Sequence, residues 1–204
     1  MKRLSKDFFA REDVVAISRE LIGKFLVTNF ENKKTSGMII ETEAYNGIID
    51  KASHAYNGKR TARNEVMYGP SGVSYVYLCY GIHHLYNIVT NTKDVPHAVL
   101  IRAIIPKDGL DVMLKRRNMK SVTKKFSDGP GTISQALGIK TVHSGVPLSG
   151  KLIWIEDRGA WFDEKDIAAG PRIGVDYAGK DALLPYRFRL KENKILKLRH
   201  EWNY

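Results

Sequence analysis

The sequence predicts an α+β fold: one domain over residues 1–204, built on a mostly antiparallel, curved β-sheet with a few helices and long loops around it. Three observations predict this. Strand-like runs dominate, helical spacing is confined to a few short windows, and the connections between them are irregular. The chain is 204 residues long and 43% hydrophobic, enough for one sizeable core. It contains no internal repeat, low-complexity tract or interdomain linker.

Taken in order, residues 12–22 place Val14, Ile17, Leu21 and Ile22 near helical spacing, with Ser18 the one polar residue on that face and Gly23 as the stop. Residues 24–30 and 35–45 read as two strands joined by the turn Glu31-Asn32-Lys33, a β-hairpin. Side chains two apart in a strand share a face, so the second strand presents Glu41, Glu43 and Tyr45 together. Residues 46–71 are too long and polar for a simple turn, and structured loops of this length are often functional. Residues 73–80, 85–90 and 98–105 complete an expected sheet of five or six strands. In the first of these, Tyr75, Tyr77 and Cys79 share one face, and Val76, Leu78 and Tyr80 the other.

Residues 108–118 read as a helix capped by Asp108, with Leu110, Met113 and Leu114 suitably spaced. Residues 116–125 are basic and expected to be mobile. The run Ser127-Asp128-Gly129-Pro130-Gly131-Thr132 opens a short helix carrying Ile133, Ala136 and Leu137. Its N-terminus reads either as a phosphate cradle or as an ordinary Gly-Pro start. Further strands are expected at residues 151–156, 186–190 and 172–175.

The charge balance narrows the partner. Lys and Arg number 33 against 22 Asp and Glu, a net charge of +11, and such a field favours polyanions. The lone Cys79 cannot form an internal disulfide, which fits an intracellular, reducing location. No apolar run approaches the ~20 residues of a membrane span, and the N-terminus lacks the apolar segment of a secretory signal, so no membrane association is expected.

The chemistry concentrates between Met38 and Arg102. Seven of the ten tyrosines lie from Tyr45 to Tyr86, and from Lys51 to Lys93 the only acid is Glu65. Rings beside positive charge suit a nucleic-acid base held by stacking, worth about 1–3 kcal/mol per base. Each ring alone also reads as an ordinary half-buried strand residue. Glu41 and Glu43 are a close carboxylate pair in which one could activate water; as a pair alone they equally describe a solvated strand face. Arg102 interrupts an apolar strand, so its guanidinium must meet a carboxylate, a structural ion pair, or a water in a site. His54, His83, His84 and Glu43 match no zinc signature, and no cofactor motif is present, so neither metal nor cofactor is expected. Nothing marks Cys79 as an activated nucleophile.

With these residues quoted, the chain closely resembles the alkyladenine (3-methyladenine, methylpurine) DNA glycosylase family. The resemblance rests on Glu41-Thr42-Glu43-Ala44-Tyr45, His54, Arg60-Thr61-Ala62-Arg63-Asn64 with Met67, Tyr75 to Gly81, Asn87, and Leu100-Ile101-Arg102-Ala103. Later matches are Gly129-Pro130, Gln135-Ala136-Leu137, Arg172 to Val175, and Ala178-Gly179. It implies a monofunctional base-excision enzyme without metal or cofactor. Glu43 would be the general base, and Arg102 would lie near the catalytic water. Tyr45, His54 and Tyr77 would sandwich the flipped base, Asn87 would stand in the pocket, and Tyr80 would enter the duplex. The partner implied is double-stranded DNA containing damaged purines, and a monomer is expected. Ala62 and Ser71 stand where many members have proline, and the mammalian-type N-terminal extension is not expected. The alternatives carried with it are a non-catalytic nucleic-acid-binding module using the tyrosines as a platform, and a nuclease or base deaminase, which the lack of metal-ligand spacing disfavours.

Overall fold

The computed structural model describes residues 1–123 and 125–202; Lys124, within the basic stretch expected to be mobile, lies outside the described residues. In chain order the regular elements are β1 (Lys2–Arg3), α1 (Lys6–Phe9), α2 (Val14–Glu20), β2 (Phe25–Phe30), β3 (Lys33–Tyr45), β4 (Ser74–Cys79), β5 (His83–Thr90), β6 (His97–Asp108), α3 (Leu110–Arg117), α4 (Pro130–Leu137), β7 (Ile153–Asp157), β8 (Ile167–Gly170), β9 (Arg187–Leu190) and α5 (Glu192–Glu201). The sheet has nine strands: five lie between residues 25 and 108, the strands expected at 151–156 and 186–190 join them as β7 and β9, and two more were not expected. Its order is β1-β7-β2-β3-β6-β5-β4, with β9 pairing both β3 and β8, and every pairing is antiparallel. The additional strands are short segments at residues 2–3 and 167–170, where alternation has too few positions to register.

The β2–β3 hairpin closes as its sequence asks. Phe30 pairs with Lys33, and the two residues between, Glu31 and Asn32, have φ of 52° and 57°, the left-handed pair of a two-residue type I′ loop. Beyond it, β3 pairs along one side with β6. Along the other side it pairs first with β2, then through Glu41–Glu43 with β9. Register shifts flank Glu41, a bulge of the kind found beside functional sites. The two glutamates are therefore central in the sheet rather than on a solvated strand face, and both are buried.

Direct cross-strand partners share a face, so the register sorts the sheet into two sides. Ile88, Val99 and Ala44 form a paired row on the side of the main core, where Ile17 of α2, Leu21 at its C-terminal cap, Met113 of α3 and Ile133 of α4 also bury. Ser18, the polar residue on the apolar face of α2, is satisfied there: its hydroxyl donates to Thr42 Oγ1 at 3.0 Å, and Thr42 donates to the Ser18 carbonyl at 2.8 Å. The opposite side carries the row Tyr75, Asn87, Leu100, Glu43 and Arg187, each paired with the next. Loop 46–73, held in short 3₁₀ turns and by a second cluster of Ala55, Met67, Tyr68 and Tyr75, covers that side.

Two expectations about elements are corrected. Asp108 does not cap a helix: it ends β6, accepting from Ser36 Oγ at 2.5 Å and pairing with Arg158 at 2.8 Å. The N-cap of α3 is Gly109, with φ +72°; a Cβ there would stand 2.3 Å from the Lys34 carbonyl oxygen, so only glycine fits. Residues 172–175 form a loop, not a strand, because their backbone and side chains are drawn to the site side of the sheet. Among the described residues, no helix is long and apolar enough to cross a membrane.

Candidate active site

Beside that second row lies a cavity of about 430 Å³, within the ordinary range for small-molecule sites. Tyr45, His54, Tyr75, Tyr77, Asn87 and Arg102 are among its lining residues, with Tyr80 at its rim. The fold thus brings together six of the seven residues singled out from the sequence. The seventh, Glu43, does not line the cavity. It lies directly behind it, 0% exposed, sealed by neighbours that do line it.

Glu43 is held on both oxygens. Oε2 accepts from the Tyr45 hydroxyl at 2.8 Å, and Oε1 accepts from the Ile173 backbone N–H at 2.8 Å, with Arg102 Nη1 3.3 Å away. Burial pushes its carboxyl above the usual glutamate range, against the opposing pull of the Arg102 charge and these hydrogen bonds. Burial also raises the Tyr45 phenol well above its ordinary value, the Glu43 charge adding to it.

Glu41 has a different environment. Its Oε1 accepts from Arg102 Nε and Arg187 Nη1, both at 3.1 Å, and its Oε2 pairs with Arg189. Three guanidinium groups consume this carboxylate, while Arg102 bridges it to Glu43. The two glutamates, equivalent in the sequence, are therefore distinct: Glu41 is an ion-pair hub, and Glu43 is a desolvated carboxylate next to a cavity. Sequence reasoning missed Arg187 and Arg189. Their spacing two apart in a strand was a legible sign of a shared basic face, but nothing local places that strand against Glu41.

The rings are not parallel plates. His54 packs 4.6 Å from Tyr77 at 69°, so a planar base lying flat on Tyr77 meets His54 by its edge. Tyr45 is backed by Arg172, whose Cζ is 4.9 Å from the ring. Arg172 is itself buried, pairing with Asp50 at 2.5 and 2.8 Å and donating to the Ala44 carbonyl at 2.9 Å. This anchor, also missed, fixes the loop from which Ile173 reaches Glu43. The Asn87 amide is pinned too: Nδ2 donates to the carbonyls of Tyr75 (3.2 Å) and Leu85 (3.3 Å).

Tyr80 ends β4 as its alternation and the following glycine suggest. Tyr80 and Gly81 have φ of 49° and 73° in a tight turn closed by Ile82 N–H to the Cys79 carbonyl at 3.2 Å. A left-handed tyrosine costs of order 1–3 kcal/mol, strain that clusters at functional positions. It leaves the ring 92% exposed, with Ile82 exposed beside it. Of the basic loop residues, Arg60 is committed to Glu65 at 2.6 and 2.8 Å, whereas Arg63 lies 4.9 Å from the Tyr77 ring. Among the described residues, no group of three or more His, Cys, Asp or Glu side chains is placed to hold a metal ion.

Comparison with known proteins decides the family. The family model described as methylpurine-DNA glycosylase matches residues 7–194. The chain belongs to the methylpurine-DNA glycosylase family. Family membership makes it a DNA glycosylase of base excision repair, a hydrolase that cleaves N-glycosyl bonds. Among its relatives, a protein of Chlamydia felis (strain Fe/C-56) is 45% identical, with 96% of this chain and 100% of that protein covered. Proteins of Clostridium perfringens (strain 13 / Type A) and Desulfitobacterium hafniense (strain Y51) are 43% and 39% identical, covering 95% and 98% of this chain and 98% and 100% of their own lengths. All three carry the name "Putative 3-methyladenine DNA glycosylase".

Proposed function

We propose that this glycosylase turns an alkylated or deaminated purine out of duplex DNA into the 430 Å³ cavity and hydrolyses its N-glycosidic bond with water activated by Glu43, leaving an abasic site. The observation that carries the reading is Glu43 itself: a fully buried carboxylate beside an aromatic cavity, whose pKa burial raises. A buried charge with no role is a cost without return, and raised carboxylates mark candidate proton acceptors.

The steps follow from the contacts. Tyr45 and Tyr77 offer faces for stacking, and the pinned Asn87 amide forms a rigid wall against an added exocyclic group. A base that stacks on Tyr45 shifts its ring, and the hydroxyl then leaves Glu43 Oε2 open to water. As the C1′–N9 bond breaks, its electron pair stays on the purine, the water oxygen bonds to C1′, and Glu43 takes the water proton. Arg102, fixed between Glu41 and Glu43, opposes the rise in the Glu43 pKa and aligns the carboxylate. Tyr80, strained and exposed at its turn, fills the space that the base vacates. The protein acts inside the cell as a monomer, on double-stranded DNA, without metal or cofactor.

The test is incubation with a duplex containing one hypoxanthine or one methylated purine, chelator present. Release of free base with an abasic site is expected. Binding without release would leave only a nucleic-acid-binding module.

A further inference from the structure

A second cleft, of about 630 Å³, lies at the end of the β4–β5 hairpin and has no part in the scheme above. Ile82, His83, His84, Arg116, Lys140 and His143 are among its lining residues. Strand alternation fixes the side on which it opens. His84, Tyr86 and Ile88 share one face of β5, and the last two bury in the main core. Leu85 and Asn87 share the other face and line the base cavity. The hairpin end therefore separates the two openings, and its turn serves both: Tyr80 borders the base cavity, Ile82 and His83 the second cleft.

What this cleft offers is hydrogen-bond donors. His84 Nδ1 accepts from the Thr141 backbone N–H at 3.2 Å, and His143 Nδ1 accepts from the Lys140 backbone N–H at 3.0 Å. A ring nitrogen that accepts carries no hydrogen, so both rings are left with theirs on Nε2. His143 is held in place by stacking on Phe30, 4.2 Å away and 7° from parallel. Burial, with Lys140 and His84 close by, lowers the His143 pKa, so the three side chains form one group. Arg116, which donates to Thr35 Oγ1 and to the Ala136 carbonyl, both at 3.3 Å, adds its charge. Among the described residues, none of His83, His84, Arg116, Lys140 and His143 enters an ion pair. The carboxylate on the cleft wall, Glu31, is paired with Lys33 at 3.8 Å. Clustered donors and positive charge with no acid to meet them are the complement of phosphate oxygens.

A wedge inside a duplex has one backbone on each side. The damaged strand passes the base cavity, into which it delivers its base, so the other strand meets the opposite face of the hairpin end. We infer that the second cleft is a phosphate site for the undamaged strand, with His84, His143 and Lys140 donating to its backbone. This rests on the proposed entry of Tyr80 into the duplex. The cleft anchors the partner strand while Tyr80 spreads the stack, and it gives the protein a preference for duplex over single-stranded DNA.

The experiment is binding of the full chain to a duplex carrying one tetrahydrofuran abasic-site analogue, which needs no chemistry. Wild type is compared with the double variant Lys140→Gln, His143→Phe, in which phenylalanine keeps a ring on Phe30 but brings no donor. The variant should bind the duplex about tenfold more weakly, the low end for lost hydrogen bonds to a charged group. The slope of log affinity against log salt should become shallower by about one, for one lysine contact. Affinity for the damaged strand alone should not change. Uncharged methylphosphonates placed across from the lesion, in the undamaged strand, should weaken wild type and leave the variant unaffected. Equal weakening of the two proteins, or an equal loss by the variant on single-stranded DNA, overturns the assignment. So does a difference that follows methylphosphonates in the damaged strand instead. Should circular dichroism show the double variant unfolded, Lys140→Gln alone, at an exposed position, carries the slope and methylphosphonate tests. Wild type that shows this strand pattern but releases no damaged base would fail the proposed reaction and leave the cleft standing.

Discussion

Replacing Glu43 with glutamine separates chemistry from binding. The carboxamide keeps the shape. Its oxygen can still accept from the Ile173 N–H (2.8 Å in the wild type) and face Arg102 (3.3 Å), while its NH₂ meets the Tyr45 oxygen, which switches from donor to acceptor. The exchange trades one hydrogen bond for another of similar worth, about 1 kcal/mol. Arg102 does not become an unpaired buried charge, because Glu41 remains 3.1 Å away. What is lost is the proton acceptor, so single-turnover base release should fall about 10²–10⁴-fold while DNA affinity changes little. The folded pKa of Glu43 is raised, so the fold prefers the protonated form. Its charged form therefore costs stability as pH rises through the carboxylate range, and that cost is absent below about pH 4. Glu43→Gln should accordingly melt higher than wild type above neutral pH, with the gain vanishing in acid. The assay is excision with enzyme in excess over a duplex carrying one lesion, beside thermal melting at both pH values. Excision within a few-fold of wild type would remove Glu43 from the role.

The remaining predictions address selectivity, flipping and binding. Asn87→Ala opens the wall fixed by the Tyr75 and Leu85 carbonyls, so excision of normal guanine should rise relative to hypoxanthine; an unchanged ratio sinks the steric filter. Tyr80→Ser should slow excision of a lesion opposite a pairing base more than of the same lesion opposite a gap, because a wedge offsets an unstacking cost of a few kcal/mol. Equal losses would leave Tyr80 a turn residue only. DNA affinity should fall steeply between low and moderate salt as Lys and Arg contacts to phosphate release counterions, and a flat titration would contradict the +11 charge as a binding device.

The sequence by itself determined those features that depend on neighbours along the chain. Period-two alternation was enough to put Glu43 and Tyr45 on one face, and the structure places the Tyr45 hydroxyl on the Glu43 carboxylate. The hairpin through Glu31 and Asn32 and the strand end at Tyr80-Gly81 were legible for the same reason: turn geometry is local backbone preference. So was the excess of positive charge. The tertiary structure alone decided which glutamate stays available. That choice depends on Arg187 and Arg189 pairing with Glu41 from a strand nearly 150 residues away, and on Ile173 reaching Glu43 from a loop held by Arg172 and Asp50. It also set the Tyr75 hydroxyl 2.8 Å from His54 Nδ1, a contact that no spacing encodes. Alternation reports the face of a strand but not the partner strand. Desolvation and ion pairing, which set the properties of Glu43, arise only when distant segments close over it.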